Sequence, residues 1–410
     1  MEEESGVVRE ISWRDVFPWI VLVKSFRIAI SVNGLLLSLT AVVLISMGWN
    51  FSKACFLTDS SLSDATLSLQ RQPLETWPGS RVIRDEVSAS VQSADISQIV
   101  ERYSIVSVFR SIADPFRFSV ASEMTWDRRL YFMFGGMFSL AVCAFFGLAI
   151  SRIAVVRYGR NEVVLLAESI AFAARKWFSC LTAPLIPFAG VMLLLLPSFF
   201  AGLIMRSDIG VLLVGILWFF IMIVGFAMAV LAIGLFFGWP FMWGTIASEG
   251  TDGFDAISRA YSYTFQRPIQ TLIFALMAIL LGLAGSAVFF IFVETIIELT
   301  FGGVAWGAGR ERYDELCLAL GANSEATWAS RSGFGLIQFF SNLVRATGVA
   351  FNFGFFWSVT SAIYLLKRQQ VDQTEFDDIF FHDQERSPYG LPHLGEDEHG
   401  VPVSPEKPSE

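Results

Sequence analysis

The sequence predicts an all-α fold, a polytopic transmembrane helical bundle of six spans. They are arranged as three hairpins with cytoplasmic interfacial elbow helices, plus a small outward cap. Three observations predict it. Six uncharged apolar stretches long enough to cross a bilayer recur along the 410 residues, and runs of that length are stable in lipid and costly in water. Charged residues make up 16% of the chain, well below the roughly 25% of soluble domains. An amphipathic segment suited to the headgroup layer precedes each odd-numbered span.

Residues 1–27 form a cytoplasmic N-terminus whose Ser12–Phe26 segment carries Trp13, Phe17, Trp19 and Ile20. The first span, 28–49, has 22 residues, about 33 Å of helix against a hydrocarbon core of about 30 Å. Arg14, Lys24 and Arg27 precede it and Lys53 follows, so the positive-inside rule puts the N-terminus in the cytoplasm. Gly48-Trp49-Asn50-Phe51 is a poor cleavage site, which reads as an uncleaved signal-anchor. Residues 50–129 are extracytoplasmic. Ile96, Ile99, Val100, Tyr103 and Val106 form a helical stripe there, with Arg102 and Arg110 off it, and a small cap resting on the bundle is expected. The second span is 130–151, followed by Arg152, Arg157 and Arg160.

A cytoplasmic amphipathic segment, 152–177, leads to the third span, 178–205, which Pro184, Pro187 and Pro197 should kink. Only Arg206, Ser207 and Asp208 separate it from the apolar run that follows, so the two are antiparallel neighbours. As one helix the run Ile209–Ser248 would be about 60 Å long. Gly238-Trp239-Pro240 is therefore expected to end or bend it, giving a fourth span at 211–237 and a cytoplasmic interfacial segment at 238–267. In that segment Phe241–Ser248 is interfacial or, alternatively, re-entrant. The remaining divisions are a fifth span at 268–293, an extracytoplasmic segment at 294–345, a sixth span at 346–366 and a cytoplasmic tail at 367–410.

The formal net charge of −9 is a property of that tail: residues 371–410 hold 11 acidic and 2 basic side chains, and the other 370 residues carry 27 of each sign. Acidic and rich in proline, the tail is expected to be disordered, or to dock a partner through Phe376, Ile379, Phe380 and Phe381.

The pattern Gly250-x3-Phe254-x-Ala256-Ile257-x-Arg259, followed by an aromatic-rich turn and a span, resembles the elbow of bacterial membrane proteins of the YciC type and of the glycerophosphodiester phosphodiesterase membrane domain. The resemblance covers about residues 160–295. It implies a helical membrane module and carries over no functional residue.

Chemistry is mostly excluded. The three histidines, His382, His393 and His399, all lie in the tail, which leaves the spans and outward segments without a histidine base, triad or metal ligand. Walker, dinucleotide, HExxH, GxSxG and CxxC motifs are missing as well. No cofactor, no metal and no nucleic-acid partner is expected. The expected spans hold no ionisable residue, and Glu294, Glu298 and Arg345 form a charged cluster at their outer edge. Gly135, Ser139, Cys143 and Gly147 recur at four-residue spacing as a helix-packing ridge. Smaller versions occur at Ala278, Gly282 and Ser286 and at Gly354, Ser358 and Ala362. Asn33, Thr40 and Asn352 are candidates for interhelical hydrogen bonds. Cys143 and Cys180 belong to spans, and Cys55 and Cys317 fall in outward segments where a disulfide could form. The expected partners are the lipid bilayer and a protein met through the outward loops or the acidic tail, in a bacterial inner membrane with both termini cytoplasmic. These features point to a non-enzymatic scaffold, assembly or envelope-organising component. The alternative is a channel or permease for a small solute, and a lipid-modifying enzyme ranks third.

Overall fold

The computed structural model describes residues 19–57, 105–119, 124–309 and 328–380, with two short strands at 395–396 and 402–403. In chain order the helices are α1 Ile20–Ala29, α2 Val32–Phe56, α3 Ile105–Ser119, α4 Trp126–Gly159, α5 Leu166–Ile204, α6 Asp208–Glu249, α7 Gly253–Gln266, α8 Pro268–Ala308 and α9 Trp328–Asp372. Six of them, α2, α4, α5, α6, α8 and α9, are long and apolar enough to cross a membrane, and the protein is a multi-pass membrane protein. The two strands, β1 Gly395–Glu396 and β2 Pro402–Val403, pair antiparallel within the tail.

At the centre stands α9. Every residue from Ala350 to Arg368 is buried, and α1, α2, α4, α6, α7 and α8 all pack against it. The centre is aromatic. Trp357 stacks on Trp243 at 4.3 Å between ring centres, and Trp239 and Phe356 close around them. Toward α8, Phe289 stacks on Phe351 at 4.8 Å.

Several boundaries differ from the expectation. The first span does not begin at Ile28: α1 runs to Ala29, and Ser31 starts α2 by accepting the Gly34 N–H at 3.2 Å. A side chain on Gly34 would strike the Ile28 carbonyl, so the break is built into the sequence. Ahead of the third span there is no separate interfacial helix, because α5 is continuous across Phe178. Its prolines do not end it. Pro184 cannot donate to the Cys180 carbonyl, and the Trp243 indole N–H of α6 donates there instead, at 2.7 Å. A neighbouring helix thus satisfies the freed acceptor, as lipid requires.

Helix α6 is likewise one piece of 42 residues that passes through Pro240, about 63 Å long. Between Val214 and Gly234 none of its residues is buried, whereas Gly238–Ser248 is buried throughout. The Phe241–Ser248 stretch is therefore not re-entrant but a continuation of the same helix. It is the helix's foot, wedged into the aromatic centre. Gly250 ends α6 in the left-handed conformation (φ 64°), which glycine adopts without strain. Asp252 then caps α7 by accepting the Asp255 N–H at 3.0 Å. On α7 the Ala256 and Ala260 face is buried, and Phe254 and Phe265 point outward. Helices α8 and α9 also continue well past Val293 and start well before Ala346, so helix occupies much of the segment expected to be extracytoplasmic.

The start of the acidic tail is not free. Residues 373–380 fold back onto the helix ends, where Phe376 and Ile379 are buried. Arg152 donates to the carbonyls of Ala247 and Phe380, and the Phe380 N–H donates to the Ser248 carbonyl at 2.8 Å. Arg368 holds the Asp378 carboxylate at 3.2 Å and Glu249 at 3.3 Å. Nearby, Arg259 pairs with Glu249 at 2.8 Å and with Asp255 at 3.2 Å. Burial works against the Arg259 charge, but Glu249 and Asp255 outweigh it and keep the guanidinium above its usual pKa. Tyr263 donates to Asp372. Of the residues expected to attract a partner, Ile379 and Phe380 thus set their side chains against glycines of the chain itself, Gly159 and Gly250; Phe381 lies outside the described residues.

Candidate functional site

The expected cap contains a helix that enters the bundle. Of the stripe read at 96–106, all but Val106 lies outside the described residues; the described helix is α3. Its apolar face, Val108, Ile112 and Pro115, is buried. Phe109 meets Phe236 at 4.9 Å and Trp239 at 5.3 Å. Phe116 meets Phe188 of α5 at 5.3 Å, and Phe118 meets Phe132 of α4 at 5.4 Å. Pro115 seats against Gly136, where a β-carbon would crowd it at 2.7 Å.

These contacts fix the depth of α3. Trp243 is level with Trp357, which rests on Gly147. Trp239 is one turn, about 6 Å, before Trp243 on α6, which brings Phe109 level with the middle of the apolar run 130–151. Phe118, beside Phe132, is near that run's N-terminal end. The helix therefore runs from the level where that apolar run begins to mid-depth among the spans.

Its opposite face carries Ser107, Arg110, Ser111, Asp114 and Arg117 at helical spacing. Arg110 and Arg117 are exposed and Asp114 is half-buried. An arginine at the centre of a spanning helix costs about 2.5–3.5 kcal/mol on insertion scales, so ionisable groups at that depth usually have a functional role. Two guanidiniums and one carboxylate carry a net charge of +1 and offer donors suited to a carboxylate or phosphate. Sequence reasoning found no ionisable residue inside the spans because it treated 50–129 as lying outside them. The detectable signal was the charged i, i+4, i+7 row at Arg110, Asp114 and Arg117, set against Val108, Phe109, Ile112 and Phe116.

The other expected site residues are placed as follows. Glu294 and Arg345 pair across α8 and α9 at 3.2 Å, and Glu298, one turn on, is exposed. Along the ridge, Ser139 and Cys143 are buried. A side chain on Gly135 would strike the Trp49 ring of α2, and one on Gly147 the Trp357 ring of α9. The ridge thus receives two tryptophan rings rather than a flat helix face. Ser286 and Asn352 hydrogen-bond between α8 and α9, and Gly354 lies against Ser38 of α2. Thr40 makes no interhelical bond to a described residue; its hydroxyl donates to Leu36 in its own helix. Asn33 lines a cavity at the start of α2. Cys55 is an exposed free thiol and Cys143 and Cys180 are buried free thiols, while Cys317 lies outside the described residues. Among the described residues no cluster of His, Cys, Asp and Glu could hold a metal. No known protein family, curated protein or solved structure matches this chain.

Proposed function

We propose that this membrane protein is a permease that conducts a small anionic or polar solute along the charged face of α3. One observation carries the reading: Arg110, Asp114 and Arg117 sit on a helix seated to mid-depth among apolar spans. Charge at that level is costly to a static bundle, whereas a solute crossing the membrane needs polar partners there. In this reading no bond of the solute is made or broken, both chain ends face the cytoplasm, and the membrane is a bacterial inner membrane.

A second reading, a scaffold or assembly component, draws on a different observation. Beyond Arg345 the ends of α8 and α9 expose Leu299, Trp306, Trp328, Leu336 and Phe340, an apolar surface suited to a protein partner. Proteoliposomes separate the two. The permease reading expects uptake of phosphate, sulfate or a short carboxylate, reduced at least tenfold in the Arg110→Gln, Arg117→Gln double variant. Folded protein that moves none of these solutes would overturn it and leave the scaffold reading.

A further inference from the structure

A cavity of about 160 Å³ lies where α1 gives way to α2 and α4 turns into α5. Ser31, Asn33, Arg157 and Glu162 supply its polar wall, and Val32 and Val163 its apolar edge. The turn depends on Asn161, which adopts the left-handed conformation (φ 58°), one that asparagine tolerates better than most residues. It brings Glu162 and Val163 back beside the last turn of α4. Arg157, Glu162 and Asn33 make no hydrogen bond or ion pair with another described residue. Opposite charges thus line one cavity without pairing, at the level where an apolar span begins. Val32, Val163 and Leu165 are each about 70% exposed beside it, a rim that suits acyl chains.

We infer that this cavity binds the headgroup of a zwitterionic phospholipid carrying a primary amine, of the phosphatidylethanolamine type. A phosphate takes the Arg157 guanidinium, the planar donor fork that suits it best. The ammonium donates to the Glu162 carboxylate and to the Ser31 and Asn33 side-chain oxygens. An anionic headgroup would leave Glu162 unpaired and facing a like charge. A choline headgroup has no N–H to donate, and no aromatic ring lines the cavity to hold it by cation–π attraction. The inference needs only the membrane location, not transport along α3.

Delipidated full-length protein in mild detergent, titrated with phosphatidylethanolamine, phosphatidylcholine and phosphatidylglycerol of identical chains and read by native mass spectrometry, tests it. Wild type should retain one more phosphatidylethanolamine than either variant, with at least a tenfold preference over the other two lipids. Glu162→Gln should lose the preference over phosphatidylglycerol, and Arg157→Gln should lose binding of both. Equal wild-type retention of phosphatidylethanolamine and phosphatidylglycerol would overturn the inference. So would undiminished retention by Glu162→Gln, which decides the matter even if Arg157→Gln misfolds. Displacement by soluble phosphoethanolamine at lipid concentrations would assign the cavity to a free solute and overturn the lipid assignment.

Discussion

Replacing Trp357 with alanine probes the centre of the bundle most directly. The ring is fully buried, stacked on Trp243 at 4.3 Å, edge-on to Phe356 at 4.9 Å and seated on Gly147. Its indole N–H has no hydrogen-bond partner among the described residues, so truncation orphans no described polar group and the cost is lost packing. In water-soluble cores such a change costs about 3–5 kcal/mol. Inside a bilayer the unfolded reference also stays in lipid, which removes much of the transfer contribution and favours the low end, about 3 kcal/mol. Stacking on Trp243 accounts for about 0.5–1.5 kcal/mol of that. Reversible denaturation in an SDS titration, followed by circular dichroism, measures the change. Trp306→Ala is the control: that ring is 92% exposed and its loss should stay within about 0.5 kcal/mol of wild type. A Trp357→Ala cost below about 1 kcal/mol, or one equal to that of the control, would refute a packed aromatic centre.

Three further outcomes are expected. Arg152→Gln should speed amide exchange at Phe380 at least tenfold by loosening the fold-back of 373–380, since a hydrogen bond from a charged donor contributes about 1.5–3 kcal/mol; unchanged exchange would mean the segment is held without Arg152. A double-mutant cycle on Ser286→Ala and Asn352→Ala should give a coupling near 0.6 kcal/mol and no more than about 1.7 kcal/mol, the range for interhelical hydrogen bonds in lipid; zero coupling would remove that contact. Cys55 should react with a maleimide in folded protein without reductant while Cys143 and Cys180 stay protected; a requirement for reductant at Cys55 would reveal the disulfide.

How much of this was legible in the sequence follows from which forces each feature uses. Long apolar runs report the solvent around a helix, and all six appear as helices. Helix ends were less legible, because the end of a run says where lipid stops and not where hydrogen bonding stops. At Pro184 and Pro240 local rules argued for a kink or an end. The Trp243 indole, 59 residues beyond Pro184 in the chain, supplies the missing donor there, and no local pattern announces it. The small residues of α4 were readable as a close-packing surface, but not that two indoles would fill it. The acidic tail looked unfoldable by composition, yet Phe376 and Ile379 find burial against helix ends distant in sequence. Helix α3 was hidden for the same reason: its charged face argued for water, and only its contacts with α4, α5 and α6 reveal its depth.

The seat of α3 also constrains how the protein is made. Phe109 rests on Trp239 and Phe116 on Phe188, residues that leave the ribosome well after α3 does. During synthesis α3 must wait unseated until α5 and α6 have been threaded into the bilayer. Its entry is therefore a late step of maturation. A nascent chain halted before Trp239 would leave Phe109 without the ring it rests on, its helix only partly seated and open to a chaperone or to proteolysis.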